Sequence, residues 1–259
     1  MRTFALASGS SGNCFLIEDD NKGKYLVDIG LSFKKITEIL KEKDISPQEI
    51  LGVFITHEHS DHILGLDVFM KNTNCPIYLT KGTFDGLSLS KSNKESKQTR
   101  FIFIKENQIM NLENLKVFII GKSHDANEPV SFVFDSNNKK VGFFTDLGKV
   151  TPQIIEILKN LDIIYFETNF CENIVRKIDF NPVYTTRLMS DLGHLSVQDA
   201  IFILQKFANK NQKIILSHIS ENTNSYENAY TVVKNFCLEH NILCDLFVSF
   251  QGEPSEWFE

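Results

Sequence analysis

Thr56-His57-Glu58-His59-Ser60-Asp61-His62 follows directly on an apolar run, Ile50-Leu51-Gly52-Val53-Phe54-Ile55, and is followed by Ile63, Leu66 and Met70 at helical spacing. The run predicts a buried strand and the spacing predicts an amphipathic helix. Three histidines and an aspartate therefore stand where a strand ends and a helix begins. On an extended segment His57 and His59 share a face, because side chains two apart point the same way. Asp61 and His62 lie just beyond the turn and can aim at a neighbouring point. Neutral imidazole and carboxylate are the groups that zinc and similar divalent metals take. A polar loop that happens to be rich in histidine is the plain alternative. Four potential ligands within six positions, at the end of a buried strand, exceed what packing explains.

The rest of the chain supplies short strands and amphipathic helices in mixed order. Phe4–Ala7, Cys14–Ile17 and Tyr25–Asp28 read as strands, then Phe33, Ile36, Ile39 and Leu40 as one face of a helix. Ser46-Pro47-Gln48-Glu49 is a capping box with proline at the first helical position. Pro76–Leu79, Phe101–Ile104, Val117–Ile120, Ser131–Phe134 and Val141–Phe144 are further strands, with Asn137-Asn138 as the last turn among them. Thr151-Pro152 opens a helix, Leu161–Phe166 is a strand, and 170–193 reads as a long loop with a short helix. Ser196 caps a helix carrying Val197, Ala200, Ile201, Leu204, Phe207 and Ala208 on one face, Ile214–Ser217 is a strand, Tyr226 to Cys237 stripe a helix, and Ile242–Val248 is the last strand.

Composition excludes several classes. No stretch approaches the roughly 18 apolar residues of a membrane span, and the apolar run near Met1 is too short for a signal peptide. Five scattered cysteines with no Cys-x-x-Cys pair predict buried thiols in a reducing, cytoplasmic compartment. The formal net charge of -6 argues against a broad basic surface, though not against a local one. Lys91, Lys94, Lys97 and Arg100, three apart, predict a solvated face or an arm that contacts phosphate. With 259 residues, no repeat and no linker-like break, residues 1–259 are expected to form one domain.

Single positions elsewhere carry two readings each. The loop Ser8-Gly9-Ser10-Ser11-Gly12-Asn13 either turns backbone N–H groups toward an anion or is a flexible hairpin turn. Ser10 and Asn13 are its candidate site contacts. Asp28, just before Gly30, either holds a ligand histidine from behind or begins a turn. His124, Asp146 and His218 each follow an apolar run. Taken singly, a histidine after a strand is usually a satisfied core or surface residue.

Together these positions resemble a known pattern. His57-x-His59-x-Asp61-His62, followed by His124, Asp146 and His218, resembles the signature of the metallo-β-lactamase superfamily. The resemblance implies an α/β (α+β) fold, the αββα sandwich of two mixed β-sheets flanked by helices. It implies two divalent metal ions, zinc foremost, with manganese or iron as alternatives. His57, His59 and His124 would bind the first, Asp61, His62 and His218 the second, and Asp146 would bridge them. A hydroxide held between two such ions attacks the substrate, and the ions clamp the attacking and leaving oxygens. Four positive charges, less two carboxylates and one hydroxide, leave about one net positive charge, which suits a phosphodiester. His59 stands where flavodiiron proteins carry glutamate, and Asp146 where class B1 zinc β-lactamases carry cysteine. The site looks more like the phosphodiesterase and glyoxalase II branches.

Ala7-Ser8-Gly9-Ser10-Ser11-Gly12-Asn13-Cys14, Ser123-His124-Asp125-Ala126, Thr145-Asp146-Leu147-Gly148 and Ser190-Asp191-Leu192-Gly193-His194-Leu195-Ser196 resemble the YycJ/WalJ-type branch, a resemblance that runs over essentially the whole chain. That implies a DNA 5′-to-3′ exonuclease-like phosphodiesterase, linked in that branch to mismatch repair, with DNA as partner. Val197 stands where such proteins often carry asparagine, and Phe170-Cys171 where they tend to carry His-Asp. RNase J-type enzymes place a β-CASP domain between the aspartate and the last histidine. Only 72 positions separate Asp146 from His218, too few for one. Arg176, Lys177 and Arg187 are then candidate phosphate contacts. Gly193-His194-Leu195-Ser196 resembles the His-Ser/Thr segment of tRNase Z enzymes. Asp61 and His194 are thus the candidate catalytic residues, His194 as proton donor to the leaving oxygen from the start of a helix, where free N–H groups favour phosphate. Two rivals remain: a hydrolase of a thioester, lactone or cyclic phosphate, and a metal-dependent module that binds without cutting.

Overall fold

Burial of both faces of the early strands decides the layering. In the strand Cys14–Glu18 (β2), Phe15 and Ile17 enter one apolar core while Cys14 and Leu16 enter another. A strand buried on both faces must lie inside a stack of layers. A computed structural model, describing residues 1–88, 98–178 and 180–259, shows two mixed sheets packed face to face with helices outside both.

The first sheet contains Arg2–Ala7 (β1), β2, Lys24–Val27 (β3), Ile50–Phe54 (β4), Ile77–Thr80 (β5) and Phe101–Ile104 (β6), in that order across the sheet. The β1, β2 and β3 strands are antiparallel neighbours, and β3 through β6 run parallel. The second sheet contains Ile109–Leu112 (β7), Leu115–Gly121 (β8), Val130–Ser136 (β9), Lys139–Phe144 (β10), Ile163–Glu167 (β11), Lys213–Ser217 (β12) and Asp245–Val248 (β13). The β7 to β10 strands are antiparallel, and β10 to β13 are parallel.

Aromatic rings fill the space between the sheets. Phe54 stacks on Tyr78 at 4.5 Å and 11° and meets Phe134 edge-on at 5.1 Å. Phe143 stacks on Tyr165 at 4.9 Å and 9°. Each such pair adds about 0.5–1.5 kcal/mol beyond the area it buries. Phe54 and Phe143 stand shortly before His57 and Asp146, so the core fixes the strand ends that carry them. Helices Phe33–Glu42 and Leu66–Asn72 cover the first sheet through Ile36, Ile39, Leu40, Leu66, Phe69 and Met70. Helices Pro152–Leu158, Val197–Phe207 and Tyr226–Glu239 cover the second.

Several local expectations differ in detail. The helix after the histidine motif is two pieces, Ser60–Ile63 and Leu66–Asn72. Gly65 lies at the break, donates to Ile29 O, and has room for no Cβ beside Leu31 O. The capping box at Ser46 forms as expected, but over a single 3₁₀ turn, Pro47–Glu49. Residues 170–193 hold two helices, Glu172–Val175 and Pro182–Leu188. The edge strand β7 and helix Lys81–Gly86 were not foreseen, since each is too short and too exposed to leave a period. The last strand begins at Asp245, because Ile242 N–H instead closes the preceding helix on Cys237 O. Asn137 and Asn138 both take positive φ, as a two-residue hairpin turn requires.

Lys91, Lys94 and Lys97 lie outside the described residues. Arg100 is not a phosphate contact. Its guanidinium is turned inward onto Cys75 O and Met70 O.

Candidate metal centre

Strand polarity places the site. Parallel β10, β11 and β12 end together, with Phe144 opposite Phe166 and Glu167 opposite Ser217. Asp146, Glu167 and His218 therefore emerge at one edge, facing the turn that follows β4. Asp28, Asp146 and His218 take φ of 61°, 56° and 54°. The left-handed region is disfavoured for residues with a Cβ, so the surrounding contacts hold three site residues in strained conformations.

Two clusters of side chains meet there. Ligand atoms of His57, His59 and His124 lie within 4.8 Å of one another, as do those of Asp61, His62, Asp146 and His218. Asp146 reaches both groups: its carboxylate is 3.2 Å from His62 Nε2, 3.5 Å from His218 Nε2 and 3.7 Å from His124 Nε2.

Each histidine has one nitrogen tied to an oxygen, and that fixes which nitrogen faces the cavity. His62 Nδ1 donates to Asp28 Oδ2 at 2.7 Å, and His218 Nδ1 to Glu167 Oε1 at 2.8 Å. His124 Nδ1 donates to Gly193 O at 3.1 Å, and His59 Nε2 to Asp125 O at 3.2 Å. His57 Nδ1 lies 2.9 Å from Thr56 Oγ1, which in turn donates to Asp28 Oδ2 at 2.9 Å. The opposite nitrogens converge. His57 Nε2 is buried with no hydrogen-bond partner, and Asp146 Oδ2 is buried outside hydrogen-bonding geometry. Nitrogen lone pairs and carboxylate oxygens turned toward one another are a donor set that fits divalent cations.

Charge divides the two clusters. Burial, with His62 and Lys122 nearby, holds His57 well below the ordinary imidazole range. Burial pushes His124 down to about 4. Burial also opposes a proton on His62 and His218, but carboxylates outweigh it. Asp146, Asp61 and Asp28 hold His62 well above its usual range, and Asp146, Asp61 and Glu167 raise His218 to about 10. Without a cation, protons on His62 and His218 balance the acidic side of the site.

Asn13 and Asp28 take part in the site. Asn13 is buried, with Nδ2 3.2 Å from His62 Nε2 and 3.4 Å from Asp61 Oδ2. Ser10 lines the cavity. The glycine loop is not an anion nest: the N–H groups of Gly9, Ser11, Gly12 and Asn13 are engaged by Asn13 Oδ1, Gln251 Oε1, Gly9 O and Asp61 O. Gly30 takes no Cβ, since Asp61 O would lie 1.7 Å from it. Arg187 lines the cavity but grips Asp125 through Nε and Nη2. Arg176 is paired with Glu172 at 2.8 Å. Val197 N–H bonds to Phe170 O at 2.8 Å, so the two departures from the family pattern adjoin, both buried.

His194 is brought to the cavity, 5.2 Å ring to ring from both His124 and His218. The start of the following helix is not what positions it. Val197 N–H is used by Phe170 O and Asp199 N–H by Ser196 Oγ. Glu167 positions it instead, 2.9 Å from His194 Nδ1. Glu167 is the residue missed in sequence. It is fully buried and also accepts from the N–H groups of Asp146, Leu147 and Leu195. Burial would raise its carboxyl, but His194 and His218 hold it down at about 2. The only signal was an acid closing the apolar run Leu161–Phe166. Asp146, Glu167, His194 and His218 also group closely enough to ligate. Glu167 is already occupied by five N–H donors, which makes it an anchor rather than a further ligand.

Comparison with known families agrees with this geometry. The family described as the beta-lactamase superfamily domain matches residues 24–219. The chain belongs to that superfamily. The two mixed sheets with flanking helices are its αββα sandwich. The superfamily chain is 35% identical over 232 residues to exodeoxyribonuclease WalJ of Streptococcus pneumoniae serotype 2 (strain D39 / NCTC 7466), covering 89% of this chain and 86% of the relative. It is 32% identical over 223 residues to exodeoxyribonuclease YycJ of Bacillus anthracis, covering 86% and 83%. Among solved structures, Zn(2+)-bound PqqB from Methylobacterium extorquens shares the fold with a TM-score of 0.75 at 14% identity, covering 99% of this chain and 100% of that one. Among the described residues no helix is long and apolar enough to cross a membrane.

Proposed function

We propose that the chain is a two-metal-dependent phosphodiesterase acting on DNA as an exonuclease from the 5′ end. The observation that supports it most is Asp146, which stands within 3.7 Å of imidazoles of both clusters. Beside it stands the similarity to two exodeoxyribonucleases over most of the chain.

His57, His59 and His124 are proposed to hold one divalent ion, Asp61, His62 and His218 the other, with Asp146 between. Zinc suits a site with five histidines, and manganese or iron remain compatible with its mixed nitrogen and oxygen donors. Two such ions, when bound, polarise a phosphate oxygen and supply an activated water. Asp61 and Asp146 line the cavity, Asp28 and Glu167 stand buried behind His62 and His218, and Lys122 is buried against Asp146 at 3.9 Å. Protons on His62 and His218 balance these carboxylates in the metal-free site, and divalent cations in their place would add the positive charge that favours a phosphodiester. Arg187, half-exposed at the mouth, keeps guanidinium N–H groups beyond the two on Asp125 for a neighbouring phosphate. Glu167 fixes the ring of His194, leaving Nε2 to give a proton to the leaving oxygen. Residues 1–259 are proposed to work as one unit. The interval from Asp146 to His218 is filled by β11, β12 and helices of the sandwich and its wall. Five free thiols, four of them buried, suit the cytoplasm.

Digestion of 5′- and 3′-labelled DNA by protein loaded with zinc, manganese or iron tests the function. Stepwise release from the 5′ end is expected, weakening as salt rises because phosphate contacts release counterions. Turnover of a thioester, lactone or cyclic phosphate, with no DNA cut under any of the three metals, would replace this function with the small-molecule one.

Metal uptake should depend on pH in a set direction. His62 and His218 carry protons at neutrality in the metal-free site and must lose them to ligate. Affinity at that position should rise with pH, by up to about tenfold per unit for each proton released. His57 and His124 are already neutral there and have no proton to lose, so the first position should show the shallower pH slope. Calorimetric titration in buffers of different ionisation enthalpy reads proton release directly. Two positions with the same pH slope would contradict the division.

A further inference from the structure

Tyr184 walls two hollows at once. With Arg187 and Leu188 it closes one side of the candidate metal centre. On its other side it lines an open hollow of 470 Å³ with Ile178, Phe180, Asn181 and Asn222. Tyr184, Arg187 and Leu188 are three and four apart on helix Pro182–Leu188, so one helix face looks into the centre. The Phe180 ring lies 5.5 Å from that of Tyr184 at 46°, and it packs against the small core of Phe170, Val175 and Leu188. One aromatic wall is thus anchored and the other stands between the hollow and the reacting centre.

The exposure of this wall is not explained by packing. Ile178, Val183, Tyr184, Met189 and Leu192 are all exposed. Ile178 and Tyr184 line the hollow itself, and exposed apolar surface gathered in a hollow marks a place where something binds. Arg176 and Lys177 immediately precede Ile178, and Arg187 stands three positions after Tyr184 on the same helix. Aromatic faces for bases and cations for the backbone are the parts of a single-strand binding platform.

We infer, resting on the exonuclease function proposed above, that this hollow receives a nucleobase flanking the scissile phosphate, stacked on Tyr184. Asn181 Oδ1 accepts from Val183 N–H at 2.9 Å, which leaves its amide N–H₂ to meet a base edge, and Asn222 lines the same hollow. Stacking on a ring face is available to every base, so the subsite selects for a base being present rather than for its identity.

The test uses DNA with an abasic residue at one or the other nucleotide flanking the cleaved bond, compared with intact DNA. For the wild type, removing the base at one of these positions should lower kcat/KM by about 5- to 100-fold, the usual worth of one stacked base. Tyr184→Ala should cut intact and abasic DNA at the same low rate, so the ratio falls to about 1. Tyr184→Trp, which keeps a ring, should restore the ratio. A purely structural role for Tyr184 would slow both substrates alike and leave the ratio unchanged, and that result overturns the inference. So does a wild type that cuts DNA without discriminating at either position. A wild type that cuts no DNA would instead overturn the nuclease function, and the base subsite with it.

Discussion

Asp146→Ala should leave the protein without both metal ions and lower kcat/KM on DNA by at least about 10³-fold, since a two-metal site contributes several kcal/mol to the barrier at 1.36 kcal/mol per tenfold. Asp146 touches imidazoles of both clusters, at 3.2 Å from His62, 3.5 Å from His218 and 3.7 Å from His124. Among the described residues the other carboxylates pair with one cluster each, Asp125 with His59 and His124, Asp28 and Asp61 with His62, and Asp61 and Glu167 with His218. Its loss also leaves Lys122 and the protonated imidazoles of His62 and His218 without their shared counter-charge. Alanine tolerates φ of 56° poorly, so part of the effect could come from the backbone. Asp146→Asn separates the two. It keeps the shape and adopts the left-handed region more readily, yet removes the charge. Metal content by mass spectrometry should fall for both variants, while the melting temperature of metal-free protein stays closer to wild type for asparagine. Full metal content and full activity in either variant would refute the bridging role.

His194→Ala should keep both metals and the fold, and lose about 10²–10⁴ in rate, the usual range for general acid–base catalysis. His194 faces the cavity beside His124 and His218, but its Nδ1 is committed to Glu167 at 2.9 Å. Nε2 is the nitrogen left for substrate. Proton donation has a signature that a structural role lacks. The loss should be large for DNA, whose leaving oxygen needs a proton, and small for a nitrophenyl nucleotide ester, whose leaving group departs as an anion. Equal losses on both substrates would make His194 a positioning residue. Loss of metal would make it a ligand.

Residues close in sequence were legible because a short chain leaves them no choice of neighbour. Thr56 to His62 had to cluster after a buried strand, and the capping box at Ser46 had to close its own turn. Phe33, Ile36, Ile39 and Leu40 had to share a helix face. His124, Asp146 and His218 were found by family pattern, since nothing local tells a ligand histidine from a surface one. What stayed hidden depended on how distant strands pair. Glu167 became the anchor of His194 and His218 because β11 lies between β10 and β12 in parallel register. Arg100 looked like one cation in a solvated row, yet it is turned inward to carbonyls of Met70 and Cys75.

Residue type and short-range periodicity thus settled the individual strands, the helix faces and the clustering of His57, His59, Asp61 and His62, while the sandwich layers and the three distant donors were legible only through the family pattern. Long-range packing was needed to place Asp28 behind His62, to bring Asn13 to the same ring, and to set Phe180 and Tyr184 around a hollow next to the centre. These contacts join segments 34 and 49 positions apart in the first two cases. Their formation rests on sheet order and loop packing, which no local pattern of hydrophobicity specifies.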